Sequence, residues 1–366
     1  MKILFVHLLN NFTGSPRVLS NLLDKLSKDH TLECHLLTSY SKGALSNIDN
    51  VSYHYNFYNW KTNKIILSLK LLFSQIYQFF FVLFSRNYKL LYINTILPFG
   101  AAFASKIRRI RCVYHIHEYY PNPNLMQKIC VFFAKKCASE VIFVSEYLKN
   151  CYAGRFSCSQ TVIYNSVSHS FHVDALKYDF SEACIKSRFD NRKIVMPCGL
   201  KKYKGIFEFI KLANSMPDFT FILVISNSKT ETDMFLRNVI IPSNLMILNE
   251  IKDMASIYQD VSLVMNMSLP HGNDIFIETF AMTLIEAFEY GVPCIAPCYG
   301  GPLEVVEDGK CGYLVNPLET ALVIEKIQNI FNSFDNYVYF SKNAKKRSII
   351  FNFDDLYKIL ISIIFK

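Results

Sequence analysis

Two glutamates, Glu278 and Glu286, stand with seven residues between them in the run ETFAMTLIE. The apolar residues Leu284, Ile285, Ala287 and Phe288 predict a helix around the second glutamate, and Gly291-Val292-Pro293 predicts its end near Tyr290. Glu278 falls in the loop before that helix. The unpaired N–H groups of Phe280, Ala281, Met282, Thr283 and Leu284 therefore open beside it. Such a helix end carries roughly half a positive charge and suits a phosphate or diphosphate. Glu286 lies about one and a half turns into the helix. A helix this apolar is buried, and a buried carboxylate is costly unless it is hydrogen-bonded. The hydroxyls of a ribose would satisfy it; so would a nearby lysine or a loop cap.

A second source of chemistry is the stretch CGLKKYKGIFEFIKLA, which follows a predicted strand at 193–197. Lys201, Lys202 and Lys204 are cations that could neutralise a departing diphosphate; the plain alternative is three lysines on a solvated turn. A third is His115-Ile116-His117-Glu118, closing a predicted strand at 112–116. In open α/β sheets the carboxyl ends of strands face the ligand crevice. His115 and His117 share a face, so a metal pair is an alternative there. It would need further His and acidic ligands, and His169 and His172 lie outside any such setting. His115 reads as structural. Near the start, a strand at 2–9, a turn at 10–15 holding Gly14, and a helix at 16–27 open a βαβ unit.

Positioning these groups takes alternating strands and helices along the whole chain. Further strands are expected at 35–37, 51–55, 89–94, 141–145, 161–167, 219–225, 261–267 and 294–296. Helices are expected at 65–84, 98–107 and 353–365, with a polar connection at 168–190. Ser268 and His271 stand just ahead of Glu278. A chain of 366 residues points to two domains. Its 51% apolar and 19% charged composition excludes a disordered chain. The 11 cysteines contain no CxxC pair and fit buried thiols in a reducing compartment. The opening run MKILFVHLLNNFTGS reads as a strand and lacks the pattern of a signal peptide. Residues 65–84 are interrupted by Lys70, Gln75 and Gln78, which favours a core or interface helix over a membrane span.

Charge is unevenly placed. Residues 1–170 hold 19 Lys and Arg against 7 Asp and Glu, while the remainder holds 20 against 23. Basic groups gather at Lys61, Lys64 and Lys70, and at Lys106, Arg108, Arg109 and Arg111. Beside apolar surface such groups favour an anionic membrane interface; an ordinary solvated face is the alternative. Nucleic acid is not the expected partner.

The run from Glu278 to Pro317 resembles the donor-binding half of family-4 glycosyltransferases, whose signature E-x7-E matches Glu278 and Glu286. TGSPRVLSNLL is similar to the family's GGAERV-type start, with Gly14 at the second glycine. CGLKKYKG is similar to its GRLxxxKG segment, with Lys204-Gly205 at the Lys-Gly and Gly199 where the family has Arg. Thr279 and Ala281 stand where the family often has Gly, Asn165-Ser166 where it has Asn-Gly, and residues 249–253 with Tyr258 resemble its base-binding loop. The resemblance implies a GT-B fold: α/β, two Rossmann-like domains facing across a cleft, with a C-terminal helix crossing back to the first domain. It implies an acceptor domain at 1–170 with about 350–366, and a nucleotide-sugar domain at 171–349.

The implied activity is transfer of a hexose-type sugar, with retention, from a nucleotide diphosphate sugar to a hydroxyl of a glycan or lipid-linked acceptor. UDP is favoured over GDP as carrier, and capsule or lipopolysaccharide biosynthesis is the implied setting. By resemblance Glu278 contacts the transferred sugar, Glu286 the ribose, Lys204 the diphosphate with Lys201 or Lys202 substituting for the missing Arg, and His117 lies near the sugar. Phe280, Ala281, Met282 and Thr283 supply the helix start, and Gly14 lies near acceptor and phosphates. Glu231-Thr232-Asp233 is only a near match to a DxD motif, so no metal or other cofactor is expected. The implied location is the cytoplasm, peripheral at the inner face of the membrane. Two alternatives remain open: a nucleotide-sugar 2-epimerase on the same fold, and a non-catalytic nucleotide-sugar-binding partner subunit.

Overall fold

The computed structural model describes residues 1–58, 64–270 and 277–366. Lys61 and His271 lie outside the described residues, as does the side chain of Lys64. The chain divides into two compact units, Met1–Asn165 with Asp354–Lys366, and Ser166–Phe353.

The first unit is a seven-stranded parallel sheet. Its strands are β1 (Lys2–Val6), β2 (Glu33–Ser39), β3 (Val51–Asn56), β4 (Leu90–Asn94), β5 (Arg111–Ile116), β6 (Glu140–Phe143) and β7 (Ser159–Val162). They lie in the order β3-β2-β1-β4-β5-β6-β7. The central strands β1 and β4 are apolar without alternation and almost wholly buried, as strands covered on both faces must be. The helix Phe353–Ile364 belongs to this unit. Its Leu360, Ile363 and Ile364 join Leu19, Leu22, Leu23 and Leu26 in one core cluster. Arg111 donates to the carbonyls of Ile363 (2.6 Å) and Ile364 (3.2 Å), satisfying backbone acceptors that a helix end leaves open.

The second unit is a six-stranded parallel sheet in the order β10-β9-β8-β11-β12-β13. Here β8 is Lys193–Cys198, β9 Thr220–Ile225, β10 Leu245–Asn249, β11 Leu263–Met265, β12 Cys294–Pro297 and β13 Gly312–Val315. Its core packs Phe209, Phe221, Leu223, Ile295, Ile327 and Tyr337 between sheet and helices. Both units are Rossmann-like. In each, strand order reverses beside the first strand, between β1 and β4 and between β8 and β11. Ligands of such sheets bind at that switch, outside the carboxyl ends.

The sequence expectation fails at 168–190. Two helices, His169–Leu176 and Glu182–Asn191, occupy that stretch, with Ser168 and Ser181 side chains accepting from the first-turn N–H groups. Buried Arg188 fixes the second helix by donating to the Tyr290 carbonyl (2.7 Å) and Ser341 Oγ (3.2 Å). The polar composition conceals two capped helices. The strand expected at 161–167 runs instead over Ser159–Val162, and that expected at 261–267 shortens to Leu263–Met265.

Candidate active site

In the second unit the chain leaves β8 through Gly199, turns at Lys202–Lys204, and enters the helix Ile206–Ser215. Gly205 makes the corner with φ of 73°. A Cβ there would sit 2.0 Å from the Met267 carbonyl oxygen, so only glycine lets this turn lie against the segment after β11. That approach brings Lys204 to Glu278, with Nζ donating to Oε2 at 2.6 Å. Ser268 Oγ lies 3.4 Å from the same oxygen, and the Asn266 side chain also hydrogen-bonds the carboxylate. Behind it, Gly301 N–H donates to the Glu278 carbonyl at 2.8 Å. Burial opposes both charges. Even so, the Lys204 ammonium holds the Glu278 carboxyl below its usual range, and Glu278 holds Lys204 above its own. The result is a half-buried ion pair at the switch point.

The helix after it is Met282–Glu289. Phe280 packs its ring against Phe351 (centroids 5.7 Å) and so serves the core with its side chain. Met282 and Thr283, half-buried, form the first turn, where backbone donors have no carbonyl four residues back. Of the two positions where glycine was expected, only Ala281 needs it, since Ala281 precedes the helix with φ of 76°. Thr279 has no such conformation. Glu286 is half-buried and accepts from the hydroxyl of fully buried Tyr258 at 2.9 Å. One partner is therefore a tyrosine of the helix Met254–Asp260, which the expectation of a ribose, a lysine or a loop cap did not include.

Lys201 lies exposed on the turn, its N–H bonded to the Gly199 carbonyl at 2.8 Å. Gly199 itself has an ordinary backbone, and a Cβ there would meet Ser226 Oγ at 3.4 Å. Nothing in the backbone demands glycine where the family has arginine. Glu231 of the near-DxD triplet closes a capping box with Ser228.

The first unit gathers polar groups at its own switch point. His117 Nε2 meets Asn94 Oδ1 at 2.9 Å, and Asn94 Nδ2 reaches His7 Nδ1 (3.0 Å) and the Ser15 carbonyl (3.0 Å). An amide oxygen only accepts, so His117 carries its proton on Nε2. Burial lowers His7 to about 4 and His115 to about 3, and burial with the neighbouring histidines takes His117 well down. All three are neutral at pH 7. Burial raises Glu118 to about 7 although it accepts from Ile96 N–H at 2.8 Å. His115 bonds Tyr92 Oη at 2.8 Å through Nδ1. Among the described residues no group of His, Cys, Asp and Glu is arranged to hold a metal, and His172 pairs with Glu289 (2.9 Å). Gly14 opens the helix Gly14–Leu26 with open space where a side chain would stand.

The structure thus brings Lys204 and Glu278 together, with the Met282 helix start and Glu286 following on the same segment. Lys201 stays at the surface. Sequence reasoning named Ser268 and Glu118 without giving them a role, and missed Asn266, His7 and Asn94. All of them end or closely follow an interior strand, and the carboxyl-end rule could have found them.

Comparison with known proteins extends this picture. Residues 12–171 match the family model described as Glycosyltransferase Family 4, and residues 183–347 that described as Glycosyl transferases group 1. A sucrose synthase of Denitrovibrio acetiphilus is 38% identical over 74 residues, which are 19% of this chain and 9% of that protein. The chain therefore spans less than a tenth of the length of such curated relatives. Anabaena Alr3699/HepE, solved in complex with UDP-glucose, matches with a TM-score of 0.76 and 20% identity over 100% of this chain and 99% of that one. The apo form of the lipopolysaccharide outer core galactosyltransferase WaaB matches with a TM-score of 0.68 and 16% identity, over 100% and 99%. At these identities the two structures speak for the fold. With a glycosyltransferase family model matched along each of its two Rossmann-like units, the chain belongs to the glycosyltransferases.

Proposed function

We propose that this protein is a retaining glycosyltransferase that moves a hexose-type sugar from a nucleotide diphosphate sugar to a hydroxyl of a glycan or lipid-linked acceptor, in cell-surface polysaccharide biosynthesis. The observation that carries the reading is the Lys204–Glu278 pair at the switch between β8 and β11. A cation and a carboxylate stand there ahead of a helix start, with a second carboxylate, Glu286, braced by Tyr258 on that helix. A diphosphate suits the cation and the helix end. Sugar and ribose hydroxyls suit the two carboxylates. In the reaction the bond from the anomeric carbon to the diphosphate oxygen breaks, and one to the acceptor oxygen forms on the same face. The acceptor proton passes to the leaving phosphate. Lys204 and the helix start stabilise the charge that grows on that phosphate, and no metal is assigned a part. Neutral His117 donates from Nε2 to Asn94, which holds its ring in place at the carboxyl end of the first unit's sheet. Gly14 leaves room for phosphate or acceptor, and Lys201 supplies a second, exposed cation.

UDP is the favoured carrier, in keeping with the UDP-glucose named for the Anabaena protein. The surface-polysaccharide setting accords with the likeness to WaaB. A thermal-shift screen against UDP, GDP, ADP and dTDP tests the donor. A ligand at about a hundred times its Kd adds about 2.7 kcal/mol to native stability, so one nucleotide should raise the midpoint, and Glu286→Ala should blunt the rise. No shift with any nucleotide would refute donor binding. Formation of a sugar inverted at C2 from the nucleotide sugar without acceptor would favour the 2-epimerase.

A further inference from the structure

The helix Lys64–Phe84 is built inside out. Ile66, Leu69, Phe73, Ile76, Phe80 and Phe84 recur every three or four positions and are all exposed, Phe73 to 58% and Phe84 to 74%. The opposite face, turned into the unit, carries Ser74, Gln75 and Gln78 together with Val82, each at most 2% exposed. A helix folding in water places its apolar stripe inward; this one reverses the rule. Its packing is that of helices in lipid as well. Gly100 lies so close that a Cβ there would meet the Gln75 carbonyl oxygen at 2.1 Å, and Gly100 N–H donates to Gln75 Oε1 at 2.9 Å. Small residues at a close crossing, with a polar side chain as the bond between helices, are how helices associate where no water drives them together.

The apolar surface continues over neighbouring helices. Ring contacts run from Phe80 to Phe79 (5.3 Å), Phe79 to Phe103 (5.4 Å) and Phe103 to Phe133 (5.1 Å). Exposed cations stand at the ends of those helices: Lys106 in the last turn of Phe99–Ile107 with Arg108 and Arg109 after it, and Lys135 and Lys136 closing Leu125–Cys137. From residue 64 to 139 the sole acidic residue is Glu118, whose carboxylate is engaged by the Ile96 N–H.

We infer that this face of the first unit docks on the surface of a bilayer rich in anionic phospholipid. The stripe of the 64–84 helix sinks among acyl chains, and the lysines and arginines lie at headgroup level. The stretch 66–84 is long and apolar enough to cross a membrane. Its polar face is bound to the unit, however, so the helix lies in the interface plane. This inference does not depend on the identity of the donor.

The test is vesicle flotation of the full chain. The protein should float with vesicles of phosphatidylcholine containing about a third phosphatidylglycerol, poorly with phosphatidylcholine alone, and less at high salt. F73S/I76S/F80S and K106E/K135E/K136E should each lower partitioning about tenfold or more. Both variants alter exposed side chains, so their melting midpoints and nucleotide-induced shifts should match the parent. Alkaline carbonate should release the protein. The inference is overturned if the parent does not float, if F73S/I76S/F80S floats equally well, or if carbonate fails to release it, which would mean a spanning helix. It is also overturned by a dimer in light scattering that F73S/I76S/F80S dissociates without any vesicle binding, since a second copy would then own the face.

Discussion

Breaking the Lys204–Glu278 pair should be costly from either side, and breaking both sides at once should cost far less than the two together. The atoms are 2.6 Å apart and the side chains retain 22% and 15% exposure. Unit charges about 4 Å apart attract by about 4 kcal/mol at an effective dielectric near 20, and residual solvent reduces that to a coupling of about 2–3 kcal/mol. Lys204→Met strands a carboxylate, and Glu278→Gln strands an ammonium. Each should cost about 3 kcal/mol, and the double variant about 3–4 kcal/mol. Urea unfolding of the full chain, followed by circular dichroism, completes the cycle. The pH course carries its own signature. Glu278 is depressed in the folded state, so its share is present above its ordinary 4.5 and fades as pH falls below it. Lys204 is elevated, so its share is present below its ordinary 10.5 and fades as pH rises beyond. Coupling should be flat between those limits. Single costs that add to within about 0.5 kcal/mol at pH 7 would refute the pair.

Three further outcomes follow from named positions. Gly205→Ala, with φ of 73° and a Cβ forced to 2.0 Å from the Met267 carbonyl, should destabilise by about 2–4 kcal/mol in thermal melts; an unchanged midpoint would contradict the close turn. Gly199→Arg should fold normally, because its Cβ has room, and should tighten nucleoside diphosphate binding several-fold in calorimetry; unchanged affinity would mean the position does not face the phosphates. Acid should weaken the first unit. His7 is lowered to about 4, His115 to about 3 and His117 further, so the unfolded chain takes up protons first as pH falls from 6.5, about 3 kcal/mol for His7 alone. Glu118, raised to about 7, acts in the opposite sense between its ordinary 4.5 and 7. Three groups outweigh one, and urea midpoints that do not fall between pH 6.5 and 4 would refute the neutral histidines.

Much of this molecule could be read from its sequence, for physical reasons that differ from place to place. Strands such as 2–6 and 90–94 declare themselves because both faces are buried, leaving unbroken apolar runs. The helix after Glu278 was legible from its apolar neighbours and its glycine stop. What the sequence hid was partnership across distance. Tyr258 reaches Glu286 over 28 positions and Lys204 reaches Glu278 over 74, separations that no local pattern encodes. The reversal of the 64–84 helix was masked by Gln75 and Gln78. As interruptions in an apolar run they spoke against a membrane, whereas in the fold they mark the face turned away from solvent. The two helices within 168–190 were lost because marginal helices held by serine caps and a buried arginine leave little periodicity.

The helix Phe353–Ile364 has a consequence for how the chain comes off the ribosome. The first unit is discontinuous, since its core takes Leu360, Ile363 and Ile364 from a segment made only after the whole of the second unit. The second unit, Ser166–Phe353, is a single unbroken stretch and has all its own parts as soon as it emerges. The nascent first unit must wait with an apolar notch open beside Leu19, Leu22 and Leu26 until that segment arrives. The order of maturation is therefore the reverse of the order of translation. A ribosome that stalls late in the message releases a chain whose later-made unit is finished and whose earlier-made unit is not.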